Sequence, residues 1–239
     1  MKTIGLIGGM SWESSAEYYR LLNLLVRERL GGHANAQSLL LTVNFAEIER
    51  LQREQDWDEL ARKMVTAARN LQDGGADFIL LCTNTMHKVA PQIQSAVSTP
   101  LLHIADPTAA AIKAQGLTTV GLLGTRFTME DDFYRLPFEA KHSLRVETPG
   151  STDREFVHSA IYEELCQGVL REETRREFRK VISGLVQQGA QGIILGCTEL
   201  GLLLRAEDSP VPIFDTTRLH VRAAVDYAMT DATESLPTY

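Results

Sequence analysis

Residues 75–85 read GADFILLCTNT and residues 189–199 read GAQGIILGCTE, so the chain contains one short stretch twice. In each copy an apolar run is followed at once by small polar residues, a pattern typical of a buried strand that ends in a turn. When the copies are aligned, Thr83 falls opposite Cys197, and the two residues differ in chemistry. The repetition predicts two related halves that place equivalent strand ends on either side of one cleft.

A second pair of related stretches supports the duplication, with TIGLIG at 3–8 and TVGLLG at 119–124. Between these short apolar runs lie longer segments whose apolar residues recur at helical spacing, which is the rhythm of βαβ units and a parallel sheet. The strands show little polar alternation, as expected when helices cover both faces of the sheet. We therefore expect an α/β fold of two pseudo-symmetric doubly wound parallel-sheet domains, with the active site in the cleft between them.

The predicted domain boundary lies near Gly116. The first α/β domain is expected over residues 1–115 and the second over residues 116–215. A last helical segment is expected within 216–239. The sequence leaves open whether this segment returns to pack on the first domain.

Composition excludes several classes of function. The chain has 239 residues, of which 44% are hydrophobic and 23% charged, an ordinary globular composition. Its formal net charge of -7, without any Lys/Arg tract, argues against a nucleic-acid partner. No apolar run approaches the ~20 residues of a membrane span, and the amino terminus does not resemble a signal sequence, so a cytoplasmic location is expected.

The three cysteines, Cys82, Cys166 and Cys197, are predicted to be thiols, because their spacing fits neither a disulfide framework nor a zinc site. Cys197 closes an apolar strand where a helix begins, and the positive end of a helix lowers the pKa of a thiol. We expect it to serve as a thiolate base or nucleophile. The alternative is a buried apolar residue without a chemical role.

Strand alternation separates Cys82 from its neighbour Thr83. Successive strand residues point to opposite faces, so if Thr83 faces the cleft then Cys82 faces the core. Cys166 lies in a helical stretch and is expected to be structural. His87 follows Thr83 by one helical turn and could approach the cleft, although a solvated or capping histidine is the favoured interpretation.

The glycines of the first strand do not form a dinucleotide fingerprint, and no Walker-type lysine follows them. A tight turn that brings the backbone of Met10 and Ser11 close to a small ligand is the simpler interpretation. At the two repeated strand ends, small polar side chains and helix amides suit a carboxylate better than a nucleotide.

These motifs resemble the aspartate/glutamate racemase family over nearly the whole chain. The resemblance rests on Gly8-Gly9-Met10-Ser11-Trp12 with Tyr18-Tyr19, on Thr83-Asn84-Thr85, and on Gly196-Cys197-Thr198-Glu199, whose last residue is typical of the aspartate branch. It implies two α/β domains, a homodimer, a small acidic amino acid as partner, and no pyridoxal phosphate, metal or nucleotide. It also implies two cysteines that act as acid and base on opposite faces of the α-carbon.

The chain departs from that pattern at Thr83, which stands where the family has its first catalytic cysteine. A threonine hydroxyl is far less acidic than a thiol and is a poor base. By analogy with related racemases, Cys197 is expected to deprotonate the L-enantiomer, while Thr83 serves the D-face poorly. The expected enzyme is a racemase of aspartate or glutamate that acts mainly from L to D.

Substrate contacts are expected from residues that close strands at the same edge of the sheets and from a possible lid after the second strand. For the lid residues, a solvated helix face is the alternative. The candidates are Met10 and Ser11 by backbone, Asn84, Thr85, Thr125 and Thr198 by side chain, and Gln52 or Arg53 from the lid.

Two other functions stay open on the sequence alone. One is a different reaction of the superfamily that uses a single cysteine, such as that of a maleate isomerase, a hydantoin racemase or a decarboxylase. The other is a binding protein for acidic amino acids that has lost turnover, with Thr83 as a symptom of that loss.

Overall fold

The computed structural model describes residues 1–230 and residue 236. The chain divides into two compact units. Among the described residues, unit 1 contains Met1–Ile104 together with the chain from His220 to Thr230, and unit 2 contains Ala105–Leu219. The division after Ile104 comes one helix earlier than the boundary expected near Gly116. Residues 231–235 and 237–239 of the segment expected over 216–239 lie outside the described residues.

Unit 1 is built on a parallel sheet of three strands, β1 (Ile4–Gly8), β2 (Ser38–Thr42) and β3 (Phe78–Leu81). The strand order is β2-β1-β3, with β1 in the centre. An isolated parallel β-bridge pairs Ile79 of β3 with Leu101, so Leu101 takes the next position in the sheet beyond β3. All the strands run in one direction, so their carboxyl ends share one edge.

Unit 2 repeats this arrangement with β4 (Thr119–Gly124), β5 (Arg145–Glu147), β6 (Ile193–Gly196) and β7 (Ile213–Asp215). The order β5-β4-β6-β7 is parallel throughout. The strand β7 occupies the place that the Leu101 bridge has in unit 1. The two sheets confirm the predicted α/β class, and their common strand order confirms that the two halves are related.

Helices alternate with the strands. Along the first part of the chain they are α1 (Trp12–Leu30), α2 (Phe45–Glu54), α3 (Trp57–Asp73), a 3-10 helix (Thr85–Val89), α4 (Ala90–Ala96) and α5 (Ala105–Ala114). Along the rest they are α6 (Arg126–Glu130), α7 (Asp132–His142), α8 (Ser151–Glu163), a 3-10 helix (Leu165–Gln167), α9 (Glu172–Gln187), α10 (Leu200–Leu203), a 3-10 helix (Ala206–Asp208) and α11 (Thr216–Ala228).

The core of unit 1 lies on both faces of its sheet. Ile4 and Leu6 of β1 pack with Tyr18 of α1 and Val221 of α11 in one apolar cluster. Ile7 of β1 belongs to a second cluster, formed mainly with α2 and α3. Each fully buried leucine or isoleucine contributes about 1.5–3 kcal/mol. Burial on both faces explains why these strands carry apolar residues at successive positions.

Candidate functional site

The turn from β1 to α1 is held by one serine. Gly9 has φ +87°, and a Cβ there would lie 2.3 Å from the carbonyl oxygen of Val43, so only glycine fits. The hydroxyl of Ser15 accepts a hydrogen bond from the Gly9 amide at 2.7 Å and donates to the carbonyl oxygen of Ser11 at 2.8 Å. Met10 and Ser11 are buried in this turn. Their backbone is therefore fixed at the carboxyl edge of the unit 1 sheet.

Cys82 and Thr83 follow β3 and have different surroundings. Cys82 is fully buried in the apolar cluster that contains Tyr18 and Phe78, and burial raises the pKa of its thiol. Its packing role agrees with the strand-alternation argument. Thr83 lies one residue further along the chain and is 7% exposed, and it is followed by the buried Asn84 and Thr85. A polar segment thus succeeds the apolar strand at once.

His87 is buried, so the solvated position that the sequence suggested for it is wrong. Its Nδ1 lies 2.8 Å from the carbonyl oxygen of Thr83, and its Nε2 accepts a hydrogen bond from the Ile104 amide at 3.2 Å. Since an amide can only donate, the proton of the neutral ring is on Nδ1, which donates to Thr83. Burial, together with the nearby His103 and His220, holds the pKa of His87 well below its ordinary value.

The end of β6 carries a thiol, a hydroxyl and a carboxylate in succession. The Sγ of Cys197 donates to Oε2 of Glu199 at 3.0 Å, and the hydroxyl of Thr198 donates to the same oxygen at 2.7 Å. Cys197 is 7%, Thr198 5% and Glu199 2% exposed. The three side chains form one buried cluster, named here the thiol–carboxylate cluster.

The pKa of Cys197 is raised well above its ordinary value, which contradicts the expectation of a lowered one. Burial is the largest cause, and the negative charge of Glu199 and the nearby Cys166 add to it. The expectation relied on the positive end of the helix after β6, but α10 has only the four residues Leu200–Leu203. Such a short helix has a weak dipole, and burial together with the adjacent carboxylate outweighs its effect on the pKa of the thiol.

Strand register brings Thr125 to the same edge as Cys197. Gly124 of β4 pairs with Gly196 of β6, so the next residue of each strand lies at the carboxyl end of the sheet. Thr125 is the N-cap of α6, and its hydroxyl accepts a hydrogen bond from the Thr128 amide at 3.3 Å. The phenol of the buried Tyr134, on α7, has a raised pKa. Burial is the larger cause, and the nearby Cys197 adds to it.

The two lid candidates on α2 point in different directions. Gln52 is 4% exposed, and its Nε2 lies 3.3 Å from the Sδ of Met86. The side chain of Arg53 is 70% exposed and forms an ion pair with Glu49 at 3.5 Å. Gln52 thus faces the interior of unit 1, whereas Arg53 lies on the solvated helix face that was the alternative interpretation.

Glu199 is the residue of this cluster that the sequence reasoning did not select. The available signal was an acidic side chain directly after Cys197 and Thr198, at the end of an apolar strand. Over residues 1–230 and 236, no group of His, Cys, Asp or Glu side chains is arranged to hold a metal ion. No helix in that part of the chain is long and apolar enough to cross a membrane.

These features define a duplicated α/β protein whose second unit presents a buried thiol, paired with a carboxylate, at the carboxyl edge of a parallel sheet. The chain belongs to the Asp/Glu/hydantoin racemase family, whose model matches residues 7–224. Racemases are isomerases, and this membership assigns the chain to that enzyme class.

Individual relatives are consistent with this family membership. A Yersinia pestis protein provisionally assigned as an Asp/Glu racemase is 53% identical, with a TM-score of 0.89 over 96% of this chain and 100% of its own. An aspartate racemase homologue from Pyrococcus horikoshii OT3 is 33% identical, with a TM-score of 0.83 and the same coverage. The broad specificity amino-acid racemase RacX of Bacillus subtilis is 26% identical over 177 residues, which are 71% of this chain and 73% of RacX.

Proposed function

We propose that the chain is a cofactor-independent racemase of the acidic amino acids aspartate and glutamate, with Cys197 as its main acid/base group. The observation that carries this proposal is the thiol–carboxylate cluster at the end of β6. Ligands of parallel α/β sheets bind beyond the carboxyl ends of the strands, which is where this thiol lies. Family membership and the aspartate racemase homologue among the relatives support an acidic amino-acid substrate.

Racemisation requires a proton to leave one face of the α-carbon and another to arrive on the opposite face. Cys197 supplies one acid/base group, and Thr83, its counterpart in the sequence repeat, supplies the other. Because a hydroxyl is a much weaker acid than a thiol, the two directions of reaction are unequal. Cys197 deprotonates the L-enantiomer efficiently, whereas Thr83 is a poor base toward the D-enantiomer.

The substrate carboxylates are held by backbone amides and small polar side chains at the strand ends. Gln52 is the better placed of the two lid candidates because its amide is buried, whereas Arg53 would have to turn inward from solvent. Preorganised donors at such positions stabilise the negative charge that develops on deprotonation. The proposed contacts are Met10, Ser11, Gln52, Arg53, Asn84, Thr85, Thr125 and Thr198.

The test is α-proton exchange in heavy water, followed by NMR for L- and D-aspartate and L- and D-glutamate separately. The L-forms are expected to exchange much faster than the D-forms. Cys197→Ser is expected to remove most of the exchange, by about 10²- to 10⁴-fold. Equal exchange from both enantiomers would contradict the asymmetric assignment, and no exchange from any of the four would overturn the racemase assignment.

The presence of threonine at position 83 also favours a second candidate function. With Cys197 as the one thiol of the repeated pair, the chain could carry out a reaction of the superfamily that needs a single cysteine. Incubation with maleate, a hydantoin and an aryl malonate, followed by chiral chromatography, separates a single-cysteine isomerase or decarboxylase from an amino-acid racemase. A protein that only binds would be stabilised by aspartate without taking up deuterium. The homodimer and the cytoplasmic location remain predictions.

A further inference from the structure

We propose that a basic cavity beside α1 binds a small metabolite that carries a diphosphate group. The cavity has a volume of about 640 Å³, which is within the usual size range of a small-molecule site. Its walls are one face of α1, over residues 19–27, and the loop of residues 32–35 that follows the helix. All of these residues belong to unit 1.

The charge of the cavity favours an anion. Arg20, Arg27 and His33 line it, and no aspartate or glutamate of the described part of the chain does. The chain as a whole has a formal net charge of -7, so a concave surface with only basic charges is contrary to the general balance. Concave surfaces lined by charges of one sign concentrate ligands of the opposite sign.

The ion pairs of α1 leave both arginines available to a ligand. Within the described part of the chain, Arg27 has no carboxylate partner, whereas Arg29 of the same last turn is paired with Asp226. Arg20 is paired with Glu17 through Nε and Nη2, which leaves Nη1 for a ligand. Basic residues near a helix end interact with the helix dipole, but Arg20 lies more than two turns before that end. The dipole therefore does not account for the basic face.

Helical spacing places the two arginines on one face. Arg20, Asn23 and Arg27 are three and four residues apart, so their side chains are neighbours. The two arginines are about 10 Å apart along the helix axis. An elongated diphosphate can meet both guanidinium groups, whereas a single phosphate group reaches one of them more easily than both. Guanidinium groups bind phosphate oxygens through paired, charge-assisted hydrogen bonds.

The loop side of the cavity is held against the helix by Asn23. Its Oδ1 accepts a hydrogen bond from the Ala36 amide at 3.1 Å, and its Nδ2 donates to the carbonyl oxygen of Tyr19 at 2.7 Å. These bonds fix the loop that carries His33. The side chains of Tyr19 and Leu24 also line the cavity, and these residues are 51% and 36% exposed. They offer an apolar surface to the organic part of a ligand.

The cavity is separate from the proposed substrate contacts of unit 1. Met10 and Ser11 precede the first turn of α1, at the carboxyl edge of the sheet. The helix then returns antiparallel to the strands, as in other βαβ units, so its last turns lie toward the amino edge. Arg27 is about 20 Å from the start of the helix. Binding at this cavity can therefore be tested without reference to racemase activity, and failure of either proposal leaves the other standing.

The test is isothermal titration calorimetry of the native chain with inorganic pyrophosphate, ADP and inorganic phosphate, in a buffer that contains a chelator and no divalent cations. Pyrophosphate is expected to bind, and inorganic phosphate is expected to bind about tenfold more weakly or less. ADP carries the same diphosphate group. Tighter binding of ADP than of pyrophosphate would assign the site to a nucleotide, and the reverse order would assign it to inorganic diphosphate. Binding should weaken as the KCl concentration rises.

Variants locate the site. Arg27→Gln and Arg20→Gln are each expected to weaken pyrophosphate binding by about 10- to 100-fold, because a charge-assisted hydrogen bond is lost. Arg27→Lys keeps the charge without the planar pair of donors and should lose less. The matched control is Arg62→Gln. Arg62 lines a second cavity of about 440 Å³, where Glu47 and Glu59 balance the basic charges, so this variant removes the same charge and should bind like the native chain.

Thermal melts supply a second readout. Pyrophosphate should raise the melting temperature of the native chain and of Arg62→Gln, but not that of the double variant Arg20→Gln/Arg27→Gln. The substituted side chains are exposed, so the melts without ligand should be alike. The proposal is overturned if neither diphosphate binds, if inorganic phosphate binds as tightly as pyrophosphate, or if the double variant binds like the native chain. An equal loss of binding in Arg62→Gln would also overturn it.

Discussion

His87 and Thr83 are joined at the carboxyl end of β3, where the ring Nδ1 donates to the Thr83 carbonyl oxygen at 2.8 Å. The other ring nitrogen accepts from the Ile104 amide, so one side chain fixes both the strand end and the segment that follows the Leu101 bridge. The position of Thr83 therefore depends on a histidine that carries no charge.

Replacement of His87 by alanine is expected to destabilise unit 1. The change leaves the buried Thr83 carbonyl and the Ile104 amide without this partner, and an unsatisfied buried group costs about 1–3 kcal/mol. A loss of about 2–4 kcal/mol in the free energy of unfolding is expected in urea denaturation. His33→Ala, at an exposed position, serves as the control and should stay within about 0.5 kcal/mol of the native chain. Equal stability of the two variants would show that the His87 hydrogen bonds contribute nothing.

Thr83→Cys is expected to speed α-proton exchange from D-aspartate. The substitution replaces a hydroxyl by a thiol, a far better base, at the position opposite Cys197 in the sequence repeat. A gain of about 10²-fold or more for the D-enantiomer is expected, with a much smaller effect on the L-enantiomer. Thr83→Ser, which keeps a hydroxyl, is the matched control. A D-selective gain in the serine variant, or none in the cysteine variant, would contradict the assigned role.

Cys82→Ala and Cys197→Ser are expected to act differently although both thiols are buried. Cys82 packs in the apolar cluster of unit 1, so its truncation should cost about 1 kcal/mol of stability and leave the exchange rate for L-aspartate nearly unchanged. Cys197→Ser should retain stability and lose the exchange. Thermal melts and heavy-water exchange on the same samples check both statements. Comparable loss of exchange in both variants would overturn the strand-alternation argument.

The buried His220 predicts a pH dependence of stability. Its Nε2 donates to the Leu102 carbonyl, its Nδ1 contacts the Tyr18 hydroxyl, and burial lowers its pKa from 6.5 to about 3. Below pH 6.5 the unfolded chain binds a proton that the folded chain excludes. The His220 contribution is therefore complete above pH 6.5 and is lost as the pH falls toward 3, by up to about 1.4 kcal/mol per pH unit.

The check is urea denaturation of the native chain and His220→Gln at several pH values. The difference in unfolding free energy between them should be largest above pH 6.5 and should narrow as the pH falls toward 3. The exposed His33→Gln provides the comparison, since its difference from the native chain should not follow this trend. Parallel stability curves for the native chain and His220→Gln would show that the buried ring does not contribute in this way.

The sequence was sufficient for the fold because its periodicity is strong. Apolar runs at 3–8 and 119–124 became the central strands of two parallel sheets, and the repeat between them appears as the same strand order. Alternation along one strand also predicted the packing of Cys82 in the apolar core. These features depend on short apolar runs and on internal repetition, both of which a single sequence displays.

Side-chain environments at the strand ends were harder to predict. The expected low pKa of Cys197 was wrong because the sequence did not reveal that the thiol is buried, that Glu199 turns back onto the sulfur, or that α10 is only four residues long. His87 was taken for a solvated or capping residue because its partner Ile104 is distant along the chain. Such contacts depend on tertiary packing, which spacing alone does not encode.

In each half, the helix that follows the last parallel strand or bridge of the sheet belongs to the other unit. The helix α5 follows the Leu101 bridge of unit 1 but belongs to unit 2, and α11 follows β7 of unit 2 but belongs mostly to unit 1. A gene fragment that stops at Ile104 would therefore encode the first sheet without Val221 and the other residues that cover one of its faces. A single cut in this chain therefore does not separate the two units. To isolate unit 1, the residues of α11 that belong to it would have to be joined to Met1–Ile104, for example by circular permutation.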